Sequence, residues 1–189
     1  MSVDLENLDI DKPIVLVGMM GCGKSLIAEK LVSAMGVALY DIDAMIKDDE
    51  DRTINEIFAD EGEAYFRTLE ADKIDAVLAE GLCVISTGGG ALKTPRTLEN
   101  IKEKAVFVWL DVDIDTIYKR IKDDKNRPLL QGDNPKAKLE ELLAAREHLY
   151  KQADIRVDNS GDPNDTVAEI GDKLSFFLTP KVDIEGCHP

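Results

Sequence analysis

A three-layer α/β/α domain on a five-stranded parallel sheet is the fold class this sequence predicts, and three observations predict it. Five short β-branched runs alternate with stretches of helical periodicity. The first of these runs ends in a glycine-rich loop that opens directly into a helix. At 189 residues with 44% hydrophobic and 32% charged side chains, the chain is sized and composed for one soluble domain with a sizeable core.

The elements follow in order. The acidic stretch at residues 1–12 reads as a frayed, flexible N-terminal extension, with no positive and apolar leader pattern. Pro13 introduces IVLV, a run suited to a strand buried on both faces. Lys24 to Met35 has helical spacing and stops at Gly36. VALYDID reads as a short strand carrying acids at its end, and Thr53-Ile54-Asn55-Glu56 as a capping box opening a helix. A longer helix is predicted from about Glu63 to Glu80, with Phe66, Leu69, Ile74, Val77 and Leu78 on its apolar face and Gly81 at its end. LCVIS is the third strand, and Thr94-Pro95 opens a helix that runs to Lys104. AVFVWL is the fourth strand, followed by a helix from Asp113 to about Lys122. Residues 123–135, charged and turn-rich, form an excursion. Asn134-Pro135 starts the next helix, IRVD is the fifth strand, and Asp162-Pro163 opens a last helix ending near Leu178. One domain over 13–178 is predicted, with 179–189 as a tail.

Composition excludes several functions. The longest apolar runs, Ile14 to Met20 and Ala105 to Leu110, fall far short of the roughly 20 residues of a membrane span. Twenty-three Lys and Arg against 38 Asp and Glu give a net charge of −15, a surface that repels nucleic acid and anionic lipid. Cys22, Cys83 and Cys187 show no CxxC spacing and only His148 and His188 are present, so neither a disulfide framework nor a zinc site is indicated. A cytoplasmic monomer acting on small molecules is expected.

The chemistry starts at Gly18-Met19-Met20-Gly21-Cys22-Gly23-Lys24-Ser25, which matches G-x-x-x-x-G-K-[ST] between a buried strand and a helix. In such a loop, glycines let backbone amides turn toward one anion, and the helix N-terminus adds partial positive charge. Lys24 is placed to reach the outer phosphates and Ser25 to ligate Mg²⁺. Cys22 reads as a small filler residue. Asp41 and Asp43, alternating along an extended segment, are predicted to point the same way and share one site, with a helix-capping acid pair as the competing reading. Arg67 and Glu70 have the spacing of an exposed ion pair. Gly88-Gly89-Gly90 reads as backbone that a ligand approaches closely. Arg127, in NRPLL, suits a lid over transferring phosphate, whereas Arg146 alone reads as a snorkelling surface side chain.

Taken in series, GMMGCGKS, DID, FRTLE, STGGG, NRPLL and AAREHLY resemble the shikimate kinases, at similar spacings over about Ile14 to Leu178. The resemblance implies a P-loop kinase fold with a lid and a helical substrate-binding subdomain. It implies transfer of the ATP γ-phosphate to the 3-hydroxyl of shikimate, on the route to chorismate and the aromatic amino acids. Gly21, Cys22, Gly23, Lys24, Ser25 and Leu26 would bind ATP, with Arg120 and the segment near Pro163 flanking the adenine. Ser25, with Asp41 outside it, would serve Mg²⁺. Asp43 would orient or deprotonate the attacking hydroxyl. Arg67 and Arg146 would grip the carboxylate, with Glu70 orienting Arg67, and Gly88 and Gly89 would offer backbone. Lys24, Asp43 and Arg127 would be the catalytic groups. A gluconate kinase or a non-catalytic nucleotide-binding module are the competing readings.

Overall fold

The computed structural model of the chain describes residues 5–122 and 134–178. Strands β1 (Ile14–Val17), β2 (Ala38–Asp41), β3 (Cys83–Ser86), β4 (Val106–Asp111) and β5 (Ile155–Asp158) form one sheet in the order β2-β3-β1-β4-β5. Every neighbouring pair is parallel. All residues of β1 and β3 are buried, as is β4 through Leu110. A parallel sheet buried this way requires helices on both faces. These are α1 (Lys24–Met35), α2 (Ile42–Glu50), α3 (Ile54–Asp60), α4 (Gly62–Val77), α5 (Pro95–Lys104), α6 (Ile114–Ile121), α7 (Pro135–Tyr150) and α8 (Pro163–Leu178). Helix α1 packs with α8, and α4 with α5. The three-layer five-stranded architecture predicted from the sequence is the one observed.

Local chemistry sets the helix ends. Gly23 and Gly36 bracket α1 with φ of 96° and 67°, backbone that a side chain rarely adopts. Thr53 and Glu56 form both bonds of the predicted capping box before α3. Asn134 caps α7 by accepting from the Ala137 amide at 3.2 Å.

Two expectations change. Residues 5–10 are held on the core: Ile10 is buried, Leu5 and Leu8 pack against the core, and Leu5 lies over Gly171 of α8. Apolar residues at 5, 8 and 10 anchor an otherwise acidic stretch, so the fraying expected through residue 12 does not describe this part. Asp41 and Asp43 do not alternate along a strand either. Asp41 ends β2 and caps α2, accepting from the Ala44 amide at 3.0 Å, while Asp43 lies in the first turn of that helix.

Sheet register positions the site. Pairing sets Leu16 and Asp41 each opposite Ser86. Two residues beyond this common row stand Gly18, Asp43 and Gly88, so the segments after β1, β2 and β3 leave the sheet at one level. They do so at its carboxyl edge, beside the point where strand order runs outward from β1 in both directions. That is where open parallel sheets form ligand crevices.

Candidate active site

On one side of the crevice the loop after β1 folds around its own lysine. Lys24 Nζ donates to the Gly18 and Met19 carbonyls, each at 3.0 Å, and lies 3.7 Å from Cys22 Sγ. Gly21 has φ of 75°, and a Cβ there would stand 2.4 Å from Ile121, so backbone conformation and crowding by α6 both demand glycine. Cys22 is fully buried, in keeping with a filler residue. Ser25 and Leu26, on the first turn of α1, are exposed. Arg120, from α6, reaches the loop's outer side, donating to the Cys22 carbonyl at 3.4 Å and the Asn159 carbonyl at 2.7 Å.

The other side is built on the three glycines after β3. The protein's own side chains explain them. A Cβ at Gly88 would stand 2.5 Å from Glu70 Oε1 and 3.1 Å from Asp43 Oδ1, and one at Gly90 would stand 2.5 Å from Arg67 Nη2. A Cβ at Gly89 would stand 3.2 Å from the Met20 amide nitrogen, 3.4 Å from the Gly18 carbonyl and 3.6 Å from Arg146 Nη1. The glycine floor therefore abuts the phosphate loop and receives Asp43, Arg67, Glu70 and Arg146 on its surface. Ligand approach is not needed to account for glycine here, although it stays compatible with it.

Helix periodicity delivers Glu70. The buried face of α4 is Phe66, Glu70, Ile74 and Val77, so this carboxylate falls on the apolar stripe and is 1% exposed. Arg67 is not a surface residue either. It pairs with Glu70 at 2.5 Å and with Glu63 at 3.3 Å, and its guanidinium lies over the Phe66 ring. Arg146 is half-buried and donates to the Gly89 carbonyl at 3.0 Å. That carbonyl also accepts from the buried Tyr150 hydroxyl at 2.7 Å. Burial pushes the Tyr150 phenol up to about 12, which keeps it a donor at neutral pH.

Two carboxylate oxygens, Asp43 Oδ1 and Glu70 Oε1, are shielded from solvent and have no hydrogen-bond partner among the described residues. Burial raises the Asp43 carboxyl, and the neighbouring Asp41 charge adds to it. Lys24, Arg67 and Lys47 pull the other way without reversing it. Burial likewise raises Glu70, against the pull of Arg67 and with a further push from Asp43. Desolvated, unpartnered acceptors at the floor of a cleft are suited to hydroxyl donors from a ligand.

The structure thus brings together Lys24, Asp43, Arg67, Gly88, Gly89 and Arg146, and joins Arg120 to the outside of the phosphate loop. Arg127 and residues 123–133 of the lid expected over about 123–135 fall outside the described residues, while Asn134 and Pro135 open α7. Sequence reasoning missed Tyr150 and Asn159. Among the described residues no cluster of three or more His, Cys, Asp or Glu is arranged to hold a metal. For Mg²⁺ this is no obstacle, since that ion is held by one or two protein oxygens with phosphates and water. Ser25 offers an exposed hydroxyl. Asp41 has Oδ1 committed to its helix cap, leaving Oδ2 for an outer contact.

A parallel α/β sheet with a lysine-filled anion loop, beside a pocket of guanidinium and carboxylate groups, defines a P-loop small-molecule kinase. The shikimate kinase family model matches residues 20–175, and the chain belongs to that family. It is 38% identical to the shikimate kinase of Rhodopseudomonas palustris over 84% of this chain and 78% of that protein. It is 39% identical to that of Persephonella marina over 83% and 95%. Among solved structures, the shikimate kinase from Acinetobacter baumannii, in complex with shikimate, superimposes with a TM-score of 0.81 at 33% identity, covering 94% of this chain and 97% of that one. A gluconokinase from Sinorhizobium meliloti reaches a TM-score of 0.58 at 18% identity, a likeness of fold alone. The chain is accordingly an ATP-dependent kinase with an alcohol acceptor, and the gluconate and non-catalytic readings are not favoured. No described helix is long and apolar enough to cross a membrane.

Proposed function

We propose that the chain phosphorylates the 3-hydroxyl of shikimate with ATP, and that the residues above divide the work as follows. The amides of residues 21–25 and Lys24 hold the triphosphate, with Leu26 and Arg120 beside the nucleoside. Ser25, with Asp41 outside it, would hold Mg²⁺, which when bound neutralises charge on the β- and γ-phosphates. Arg67 and Arg146 bind the acceptor carboxylate through their guanidinium forks, and Gly88 and Gly89 line its floor. Asp43 accepts the proton of the attacking hydroxyl. The acceptor oxygen forms its bond to the γ-phosphorus as the bond to the bridging oxygen of ADP breaks. Arg127 is assigned to the phosphates by its motif alone.

One observation carries this reading. Two unpartnered carboxylate oxygens and two guanidinium groups share a glycine floor that touches the phosphate loop. That set complements a small molecule bearing both hydroxyls and an acid, and sets it against the γ-phosphate. Positioning and charge stabilisation then supply most of the rate. The free thiols Cys22 and Cys83 suit a reducing cytoplasm. A coupled ADP-release assay with Mg²⁺·ATP tests the reading, offering shikimate and gluconate separately. Turnover is expected with shikimate. Turnover of gluconate alone would overturn the acceptor assignment.

A further inference from the structure

Asn159, the first residue after β5, is 2% exposed, and each of its polar groups is engaged. Its amide donates to the Asp111 carbonyl at 2.8 Å, and its carbonyl accepts from Arg120 at 2.7 Å. Its side-chain oxygen accepts from the Thr166 hydroxyl at 2.8 Å, and Nδ2 donates to the Cys22 carbonyl at 2.6 Å. Because that carbonyl can only accept, the amide nitrogen is the end that faces it.

The Cys22 carbonyl belongs to the peptide joining Cys22 to Gly23. A trans peptide is planar, so its C=O and N–H point in opposite directions. Holding the carbonyl on Asn159, outside the loop, turns the Gly23 N–H away from Asn159 and toward the loop's other side. Lys24 Nζ bonds to the loop carbonyls of Gly18 and Met19. Gly23 has φ of 96°, and glycine imposes little preference of its own on that peptide. A Cβ on Gly23 would stand 2.7 Å from Asn159 Nδ2, so the glycine also makes room for its anchor.

We infer that Asn159 is a positioning residue for the phosphate cradle: it fixes the Cys22–Gly23 peptide so that the Gly23 N–H faces the nucleotide phosphates. This rests on the nucleotide reading of the loop. It gives the end of β5 a part in phosphate binding that its own sequence, NSGDP, does not suggest.

The test compares Asn159→Ala with Thr166→Val in the full chain. The first removes the 2.6 Å side-chain donor to the Cys22 carbonyl and leaves the longer Arg120 bond at 3.4 Å. The second removes the bond that Asn159 receives from α8 together with the Thr166 contact to the Asp162 carbonyl. Inorganic tripolyphosphate and ADP probe the cradle, and shikimate probes the rest of the site. Asn159→Ala is expected to weaken tripolyphosphate and ADP binding by about tenfold, the scale of one lost hydrogen bond to a charged ligand. Shikimate binding should stay within about twofold, and Thr166→Val should hold tripolyphosphate affinity within about twofold even if it melts lower. Unchanged tripolyphosphate binding in Asn159→Ala, or an equal loss in Thr166→Val, would overturn the inference. If Asn159→Ala does not fold, the Gly23 amide resonance of the unaltered protein decides. It should move when tripolyphosphate is added, and an unmoved resonance in a protein that binds tripolyphosphate overturns the inference. Failure of the unaltered protein to bind either probe would remove the nucleotide reading itself.

Discussion

The two halves of the crevice meet at Gly89 yet differ in how they stand without a ligand. On the phosphate side Lys24 and Arg120 each have two backbone carbonyls as partners. On the acceptor side Asp43 Oδ1 and Glu70 Oε1 are sealed from water and have no hydrogen-bond partner among the described residues. The first region is internally satisfied and can be preformed at little cost. The second holds desolvated acceptors whose partners must arrive with a substrate, the kind of local strain that folded proteins tolerate at functional sites. Stability and activity should therefore move together weakly on one side and in opposition at the unpartnered Asp43 carboxylate of the other.

The largest effect is expected from Lys24→Ala. Turnover should fall by about 10³-fold or more, as loss of a charge-stabilising donor does. The melting temperature should change little, because only a partly exposed side chain and two carbonyl bonds are lost. A steep drop in melting temperature, read by calorimetry, would break the contrast.

Asp43→Asn comes next and should separate the two properties. Turnover is expected to fall by about 10²- to 10⁴-fold with loss of the proton acceptor. The protein should melt higher, since a neutral amide escapes the burial that penalises the carboxylate. The pH dependence carries the same sign. Asp43 titrates above its ordinary 3.8 and Glu70 above its ordinary 4.5. Through each such window the folded state binds more protons than the unfolded one. The contribution of these groups to stability is therefore highest in acid and is lost as pH rises to the folded value. The ascending limb of kcat against pH should correspondingly lie above the usual carboxylate range, and Asp43→Asn should remove it.

Arg67→Ala should raise the shikimate KM by about 10- to 100-fold with little change in the ATP KM. It should also lower the melting temperature, because Glu70 would be left buried without its cation. The smallest effect is expected from Tyr150→Phe, which takes one of two donors from the Gly89 carbonyl. A rise of about 2- to 10-fold in shikimate KM, with kcat nearly unchanged, is the expected outcome in steady-state kinetics. A larger change in ATP KM would place Tyr150 on the other side of the comparison.

What the sequence disclosed divides along the range of the interactions concerned. Helix α1, the Thr53 capping box and the start of α5 at Pro95 are each set within a few residues, and all were legible. The phosphate loop belongs to the same category. The DID segment was legible as chemistry, and of its two geometric readings, alternation along an extended run and a helix-capping acid pair, the second is the one observed. The three glycines pointed to close approach correctly, but what approaches is Arg67, Glu70 and Asp43 from distant helices. Asn159 reaches a carbonyl 137 residues away in the chain, and Tyr150 one that is 61 away. A backbone acceptor has no residue type, so no string of letters could have announced either contact. A signal did exist for Glu70, an acid lying on an apolar helical stripe.

The common exit level of the first three strands has an evolutionary corollary. Gly18, Asp43 and Gly88 each stand two residues past the same row of the sheet. Drift in this collar is held in chain length as tightly as in residue type, for a one-residue insertion or deletion there would rotate a functional group out of the cleft. Length variation in descendants of this gene should be confined to stretches that begin farther from the strand ends.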